Sequence, residues 1–335
     1  MNSESLGFVV GGGSDDGVLI VPRPRGFCAG VVRAIDIVRI ALQKVGPPVY
    51  VRKEIVHNRH VVAELAEAGA IFVDELAQVP DGAVVVFSAH GVAPTVRADA
   101  EMRRLHVIDA TCPLVTKVHL EAVRFARAGY TVVLVGHHDH DEVIGTVGEA
   151  PDAIQVISTV EEVDALRVAD PERVAYLTQT TLSVDDTRAV VDRLKRRFQA
   201  LVGPPEQDIC YATQNRQTAV KLIARRAEVI LVVGARTSSN SNRLVEVAKR
   251  AGTKAYLVES VGDIRQEWLD GCVRIGVTAG ASTPDRLLNE VIDGVRAWGK
   301  FLVEEVTAVF EDVRFTLPRE LRDGLFREPA EILGA

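Results

Sequence analysis

The sequence predicts an α/β protein made of three similar blocks, with mostly parallel sheets. Two observations predict it. Short runs rich in Val, Ile and Leu alternate with longer amphipathic segments over most of the chain. Cys28, Cys112 and Cys210 recur at separations of 84 and 98 residues, each at a strand-to-helix junction. Recurrence of a whole strand-helix pattern marks an internal repeat.

Strands are expected in "GVLIVP", "PVYVRK", "AVVVFSA", "HVIDA", "YTVVLVG", "AIQVIS", "VAYLTQ", "EVILVVG", "KAYLVES" and "VRIGVTAG". Each is short and apolar, most are β-branched, and turn residues bound them. Helices are expected in "VRAIDIVRIALQKV", "HVVAELAEAG", "KVHLEAVRFARAG", "TRAVVDRLKRRFQAL", "TAVKLIARRA", "NRLVEVAKRAG" and "DRLLNEVIDGVRAWG". Around Glu142 and Glu162 the pattern gives short helices without defined ends. Cys28 follows "VLIVPRPRGF" and opens a helix. Cys112 follows "HVIDAT", with Pro113 at the favoured first helical position. Cys210 follows "QDI" and precedes a helix starting near "TQNRQTAV".

This pattern divides the chain into a mobile extension (1–17), three α/β domains (18–112, 113–207 and 208–300) and a C-terminal segment (301–335). Every block carries two polar loops. The first set is "VHNRH" at Val56–His60, "GHHDHDE" at Gly136–Glu142 and "RTSSNSN" at Arg236–Asn242. The second is "SAHG" at Ser88–Gly91, "TQTT" at Thr178–Thr181 and "TAGAST" at Thr278–Thr283. Ligands of α/β sheets bind beyond the carboxyl ends of the strands. A pseudo-threefold arrangement of the domains would therefore gather three cysteines and six loops around one central cavity.

The bulk numbers exclude some functions. A net charge of −7 and a pI near 5.7 argue against a general nucleic-acid surface, which needs a basic excess. No apolar run approaches the roughly 18 residues of a membrane span. The N-terminal "MNSESLGFVVGGGSDDG" lacks the basic and apolar regions of a secretory signal. The expected location is cytoplasmic, where structural disulfides are rare. No C-x-x-C pair is present, so zinc ribbons, thioredoxin-like motifs and local ferredoxin motifs are absent.

Cys272, at the start of a strand and without a repeat equivalent, reads as a core residue. For Cys28, Cys112 and Cys210 the position before a helix favours a thiolate. Three converging thiolates could hold a [4Fe–4S] cluster and leave its fourth iron without a protein ligand; a small buried side chain is the equally weighted alternative. The "HHDHDE" stretch suggests metal. Yet Glu142 and Val143 stand where a zinc hydrolase of H-x-H-x-D-H type needs Asp and His, and there is no H-E-x-x-H. A hydrolase using His138, His140 and Glu142 is thus poorly supported. His57, His90 and His140 lie in repeat-equivalent loops, although each alone suits a structural or solvent role. His60 and His137 read as surface or supporting residues, and His106 and His119 receive no role. "TSSNSN" and "TAGAST" suit a phosphate at a helix N-terminus. They equally suit plain capping by Ser239 or Asn240 and by Ser282 or Thr283. No Walker A or G-x-G-x-x-G sequence is present.

Taken together, "PRGFCAGVVRAI", "VHNR", "SAHGV", "DATCPLVTKVH", "GHHDHDEVIGTVGE", "TQTTLSVDDT", "DICYATQNRQ", "SSNSNRL" and "TAGAST" make the chain resemble the 4-hydroxy-3-methylbut-2-enyl diphosphate reductases, last enzymes of the non-mevalonate isoprenoid route. The resemblance runs from about Val18 to about Leu321. Departures are small: "GASTP" where the family usually has Ala before Pro, His60 where an aromatic is common, and the extension before Gly17. None removes a functional residue.

The resemblance implies that Cys28, Cys112 and Cys210 ligate a [4Fe–4S] cluster whose open apical iron takes the substrate hydroxyl. It implies that His57, His90, His140, Ser238, Ser239, Asn240 and Ser282 grip the diphosphate. Thr180 would position the hydroxyl, and Glu142 would serve the proton relay that releases water. Two one-electron transfers from a ferredoxin or flavodoxin would yield isopentenyl and dimethylallyl diphosphates. A cluster carrier without turnover is the rival, and it would need neither the diphosphate residues nor Glu142.

Overall fold

The computed structural model describes residues 16–322. The expected N-terminal extension lies outside them up to residue 15, as does the chain beyond 322. Twelve strands alternate with helices: β1 (Gly17–Arg23), β2 (Val49–Arg52), β3 (Ala70–Val73), β4 (Val84–Phe87), β5 (His106–Asp109), β6 (Thr131–Val135), β7 (Ile154–Ile157), β8 (Val174–Thr178), β9 (Val229–Val233), β10 (Lys254–Val258), β11 (Arg274–Ala279) and β12 (Phe301–Thr307). They form three sheets, ordered β10-β9-β11-β1-β12, β3-β2-β4-β5 and β7-β6-β8. Every ladder between these strands is parallel. The chain is thus α/β with three parallel sheets.

The residues fall into two compact units. One comprises 16–27 and 215–311, the other 28–214 and 312–322. The first holds the five-stranded sheet. Leu19 and Val21 face a cluster with Leu231, Val277, Leu288 and Val291. Ile20, between them, faces Val220, Ile223, Val232 and Leu244. This alternation places apolar layers on both faces, as parallel sheets require. Among the described residues the first strand, β1, therefore belongs to the sheet of the last block. Cys272 packs against the first of these clusters, as expected. β12 was not expected. Its glutamates interrupt the apolar run because it is an exposed edge, where Glu305 pairs with Arg23 and Arg25 at 2.8 and 2.7 Å.

Arg216 is fully buried in this unit. It pairs with Glu311 at 3.3 Å and donates to the carbonyls of Gly26 (2.8 and 3.0 Å) and Phe27 (3.2 Å), the two residues before Cys28.

The second unit holds the other two sheets. β3 and the helix Pro94–Met102 also escaped the sequence reading. The former is only four residues long, and the latter has a single buried residue, Ala100, so neither shows a periodic apolar face. The doubtful helices exist as Asp141–Glu149 and Glu162–Ala165. Three helices start at cysteines. Cys28 occupies the N-cap position of Ala29–Val45, Cys112 that of Pro113–Arg127, and Tyr211–Ala224 follows Cys210 and continues across the unit boundary.

Removing Arg216 strands a carboxylate and three accepted hydrogen bonds. Arg216→Met is expected to lower stability by about 3–5 kcal/mol, read as the shift of the urea unfolding midpoint. A shift near zero would deny the buried pair any structural weight.

Candidate active site

The three cysteines of the second unit share one constraint. Cys28 and Cys112 occupy the cap position of their helices in extended backbone, and neither side chain caps its own helix. Gly30 lies between them. A methyl group there would sit 2.9 Å from Cys112 Sγ and 3.8 Å from Cys28 Sγ. Cys210 Sγ donates to Thr213 Oγ1 at 3.2 Å and accepts from Thr213 N at 3.4 Å. All are free thiols. Burial pushes Cys112 up to about 12, helped by the neighbouring Cys28 and Cys210. Burial likewise pushes Cys210 up to about 11, with Cys28 adding to it. Thiols whose ionisation is opposed by burial and by neighbouring sulfurs, as at Cys112 and Cys210, fit a single cationic group that binds all three sulfurs as thiolates. An iron–sulfur cluster is such a group, and the donor set fits it.

His57, His90 and His140 form a second cluster in the same unit. The His57 and His90 rings stack with centroids 4.1 Å apart, and His140 stands edge-on to them at 5.5 and 5.8 Å. Local sequence sets each ring. Asn58 caps the helix Arg59–Glu67, accepting from His60 N and Val61 N, which turns the chain just after His57. His57 Nδ1 lies 3.2 Å from Glu54, and His90 Nδ1 lies 3.3 Å from Ser88 Oγ. His140 caps the helix Asp141–Glu149, its Nδ1 accepting from Glu142 N at 3.2 Å. An accepting Nδ1 leaves the proton on Nε2. Burial holds His140 down to about 4 and His90 well below its usual value, and the neighbouring histidines add to both shifts. At neutral pH both rings are uncharged donors. Ligand atoms of His57, His90 and Asp141 also lie within 4.8 Å of one another. The trio that a zinc hydrolase would use is not assembled, because His138 is exposed while Glu142 is buried.

Glu142 is the acid of this unit most fully enclosed beside the histidine cluster. It is 2% exposed. Thr180 holds both oxygens of its carboxylate, through N at 2.7 Å and Oγ1 at 2.9 Å. The carbonyl of Thr180 in turn accepts from Cys210 N at 3.0 Å. Burial pushes Glu142 up to about 7; the Thr180 bonds oppose the rise and Asp208 adds to it. A carboxyl group titrating there is suited to proton delivery.

The remaining expected residues lie in the first unit. Asn240 Oδ1 accepts from Ala281 N at 2.8 Å, joining the loop at 236–242 to the loop at 278–283. The caps differ from expectation. Ser238, rather than Ser239 or Asn240, caps the helix Ser239–Arg250, and Pro284, rather than Ser282 or Thr283, precedes the helix Asp285–Trp298. Thr283 Oγ1 donates instead to Val233 O at 3.0 Å. Ser238, Asn240 and Ser282 are buried and Ser239 is half-buried beside that helix start, a setting suited to phosphate.

Sequence reasoning missed several supporting groups. Arg33 Nη1 donates to the carbonyls of Ala110 (3.2 Å) and Thr111 (3.1 Å), the residues before Cys112. The Tyr211 hydroxyl accepts from Ala29 N at 3.3 Å, tying the Cys210 segment to the first turn after Cys28. Asp208, pushed up to about 6 by burial, accepts from Thr178 N at 3.0 Å and meets Lys117 at 3.4 Å. A charged residue beside a singled-out cysteine was the available signal.

A family model described as "LytB protein" matches residues 19–296. The chain belongs to the LytB family. Among curated LytB-like relatives, 4-hydroxy-3-methylbut-2-enyl diphosphate reductase 1 of Mycobacterium bovis is 58% identical over 305 residues, 91% of each chain. The reductase of Acidothermus cellulolyticus is 56% identical over 305 residues, covering 91% of this chain and 90% of that one. A solved structure of the E-1-hydroxy-2-methyl-but-2-enyl-4-diphosphate reductase from Plasmodium falciparum superposes with a TM-score of 0.90 at 37% identity, covering 93% of this chain and 98% of the other. The LytB fold is therefore shared across nearly the whole described chain.

Gly30 supplies a test of the thiol site. Gly30→Ala is expected to displace Cys112 Sγ and leave anaerobically prepared protein with substoichiometric iron, measured as iron per chain. Wild-type iron content would show that the thiols do not depend on that close approach.

Proposed function

We propose that this LytB-family chain reduces 4-hydroxy-3-methylbut-2-enyl diphosphate, replacing its hydroxyl by hydrogen to give isopentenyl and dimethylallyl diphosphates. The observation that carries the reading is the buried Glu142. It is held by Thr180, which also bonds the Cys210 backbone, and its own N–H is bonded to His140. Glu142, Thr180, the Cys210 segment and His140 are thus connected within one unit, which supports reading them as parts of one site.

Cys28, Cys112 and Cys210 would hold a [4Fe–4S] cluster, which when bound supplies two electrons one at a time and a Lewis-acidic iron. His57, His90, His140, Ser238, Ser239, Asn240 and Ser282 would bind the diphosphate, whose charge provides most of the available binding energy. Anchoring that end fixes where the hydroxyl lies. Thr180 Oγ1 would orient the hydroxyl. Glu142 would give it a proton as the carbon–oxygen bond breaks, because hydroxide is a poor leaving group. Two electrons and two protons balance the reaction: one proton leaves in water, and the other joins either end of the allylic carbons, giving the two products. A ferredoxin or flavodoxin would supply the electrons. The proposed location is the cytoplasm, with neither nucleic acid nor membrane as partner; among the described residues no helix is long and apolar enough to cross a membrane. A carrier without turnover would have no use for a buried carboxyl group at pKa about 7 whose backbone is bonded to His140.

Glu142→Gln is expected to keep wild-type iron and lose turnover by about 10²–10⁴-fold, measured by product formation with a one-electron reductant. Turnover like the wild type would overturn the proton role. The sign of the pH effect follows from the raised value. Glu142 is protonated below about 7 and ionises above it, so proton delivery should fall as pH rises through 7. That limb should be missing from the residual activity of Glu142→Gln.

The histidines make a separate prediction. His90 and His140 are neutral in the free protein, and a bound diphosphate favours their protonated forms. Binding of inorganic diphosphate at pH 7 should therefore take up protons, seen as a heat that varies with buffer ionisation enthalpy. A buffer-independent heat would count against direct contact with these rings.

A further inference from the structure

His119 has no part in the proposed chemistry, yet it is buried seven residues after Cys112 on the helix Pro113–Arg127. Its ring packs between two glycines. A methyl group on Gly91 would lie 3.0 Å from His119 Cε1, and one on Gly145 would lie 3.3 Å from the same atom. Gly91 follows His90 and has φ +82, so the tight turn there also demands glycine. Gly145 lies on the Glu142 helix, one turn before Gly148. A methyl on Gly148 would fall 2.3 Å from Ala93 Cβ. The two glycines let that helix lie directly on the segment after His90.

Hydrogen bonds close the arrangement. His119 Nδ1 lies 3.0 Å from Glu149, the last residue of the Glu142 helix. Glu149 also accepts from the Arg97 guanidinium, whose other arm donates to Val92 O at 3.0 Å. The circuit therefore runs from the Cys112 helix through the Glu142 helix to the turn that carries His90. Burial holds His119 below its usual pKa, so the neutral ring donates from Nδ1 to the carboxylate. Nε2 is buried and has no hydrogen-bond partner among the described residues, which leaves that edge to packing.

We infer that His119, with Glu149 and Arg97, is a positioning residue: it fixes the His90 turn against the Glu142 helix, so that anion ligand and proton donor keep one geometry. The functional half of this statement rests on reading His90 as a diphosphate ligand.

The test uses full-length, cluster-loaded protein without oxygen, as wild type, His119→Ala, His119→Asn and Glu149→Gln. Calorimetry measures binding of inorganic diphosphate, and hydrogen–deuterium exchange follows amides 89–93 and 141–149, with 229–258 as the internal reference. His119→Ala and Glu149→Gln should weaken binding by about tenfold and speed exchange in both segments together. His119→Asn, whose amide can replace the Nδ1 bond, should recover binding to within about threefold of wild type. Unchanged binding and exchange in His119→Ala and Glu149→Gln would overturn the inference, as would faster exchange spread evenly over all three regions. Should His119→Ala fail to fold, Glu149→Gln and His119→Asn decide by the same two readouts. If wild type does not bind inorganic diphosphate, the reading of His90 falls, and the exchange comparison still decides the coupling.

Discussion

Thiols brought close together in a desolvated setting oppose the charge that a sulfur ligand needs, and Cys112 and Cys210 show it. Burial is the largest cause of the rise at both Cys112 and Cys210; Cys28 and Cys210 add to it at Cys112, and Cys28 adds to it at Cys210. Much of the surrounding structure answers to that constraint. Each cysteine precedes a helix, where oriented N–H groups favour negative charge. Gly30 gives two of the sulfurs room to approach. Arg33 brings a guanidinium to the carbonyls before Cys112; burial lowers its pKa, and Cys112 and Asp109 oppose that shift. On the proposed reading, a bound cluster completes this set and turns mutual repulsion into shared ligation.

In the same unit, burial also works against charge on His90, His140 and Glu142. Burial holds both histidines low, with His57 and His140 adding to the effect on His90 and His57 and His137 to that on His140; burial pushes Glu142 up to about 7 against the two Thr180 bonds. Such groups respond strongly to an arriving charge, because little solvent screens them. A diphosphate would draw protons onto the histidines, and a leaving hydroxide would draw one from Glu142. Binding and proton transfer then belong to one electrostatic arrangement, linked through the His140–Glu142 helix start and through Thr180.

Much of this was legible in the sequence because the repeat places chemistry at predictable points. A cysteine at three strand-to-helix junctions, and polar loops beyond later strands, singled out Cys28, Cys112 and Cys210 and the loops that carry His57, His90, His140, Glu142 and Thr180; the roles expected of these residues came from the family resemblance. What escaped has physical reasons. β12 carries glutamates because an edge strand meets solvent and arginine partners, so it lacks an apolar pattern. Helix caps shifted by a residue because hydroxyls clustered at one turn compete for the same N–H groups. His119 was passed over because "KVHLEAV" reads as an ordinary helix. Its importance lies in Gly91, Gly145 and Glu149, which stand 26 to 30 residues away in sequence and meet it only in the fold. Side-chain partners that distant leave no periodic trace.

The most direct measurement is a Mössbauer spectrum of iron-57-labelled protein, purified without oxygen, before and after adding 4-hydroxy-3-methylbut-2-enyl diphosphate. The account predicts a four-iron cluster with one distinct iron site whose parameters shift when the substrate is added. A four-iron spectrum indifferent to substrate would contradict the reductase reading in favour of a carrier, and iron-free protein from an iron-replete, anaerobic preparation would contradict the cluster itself.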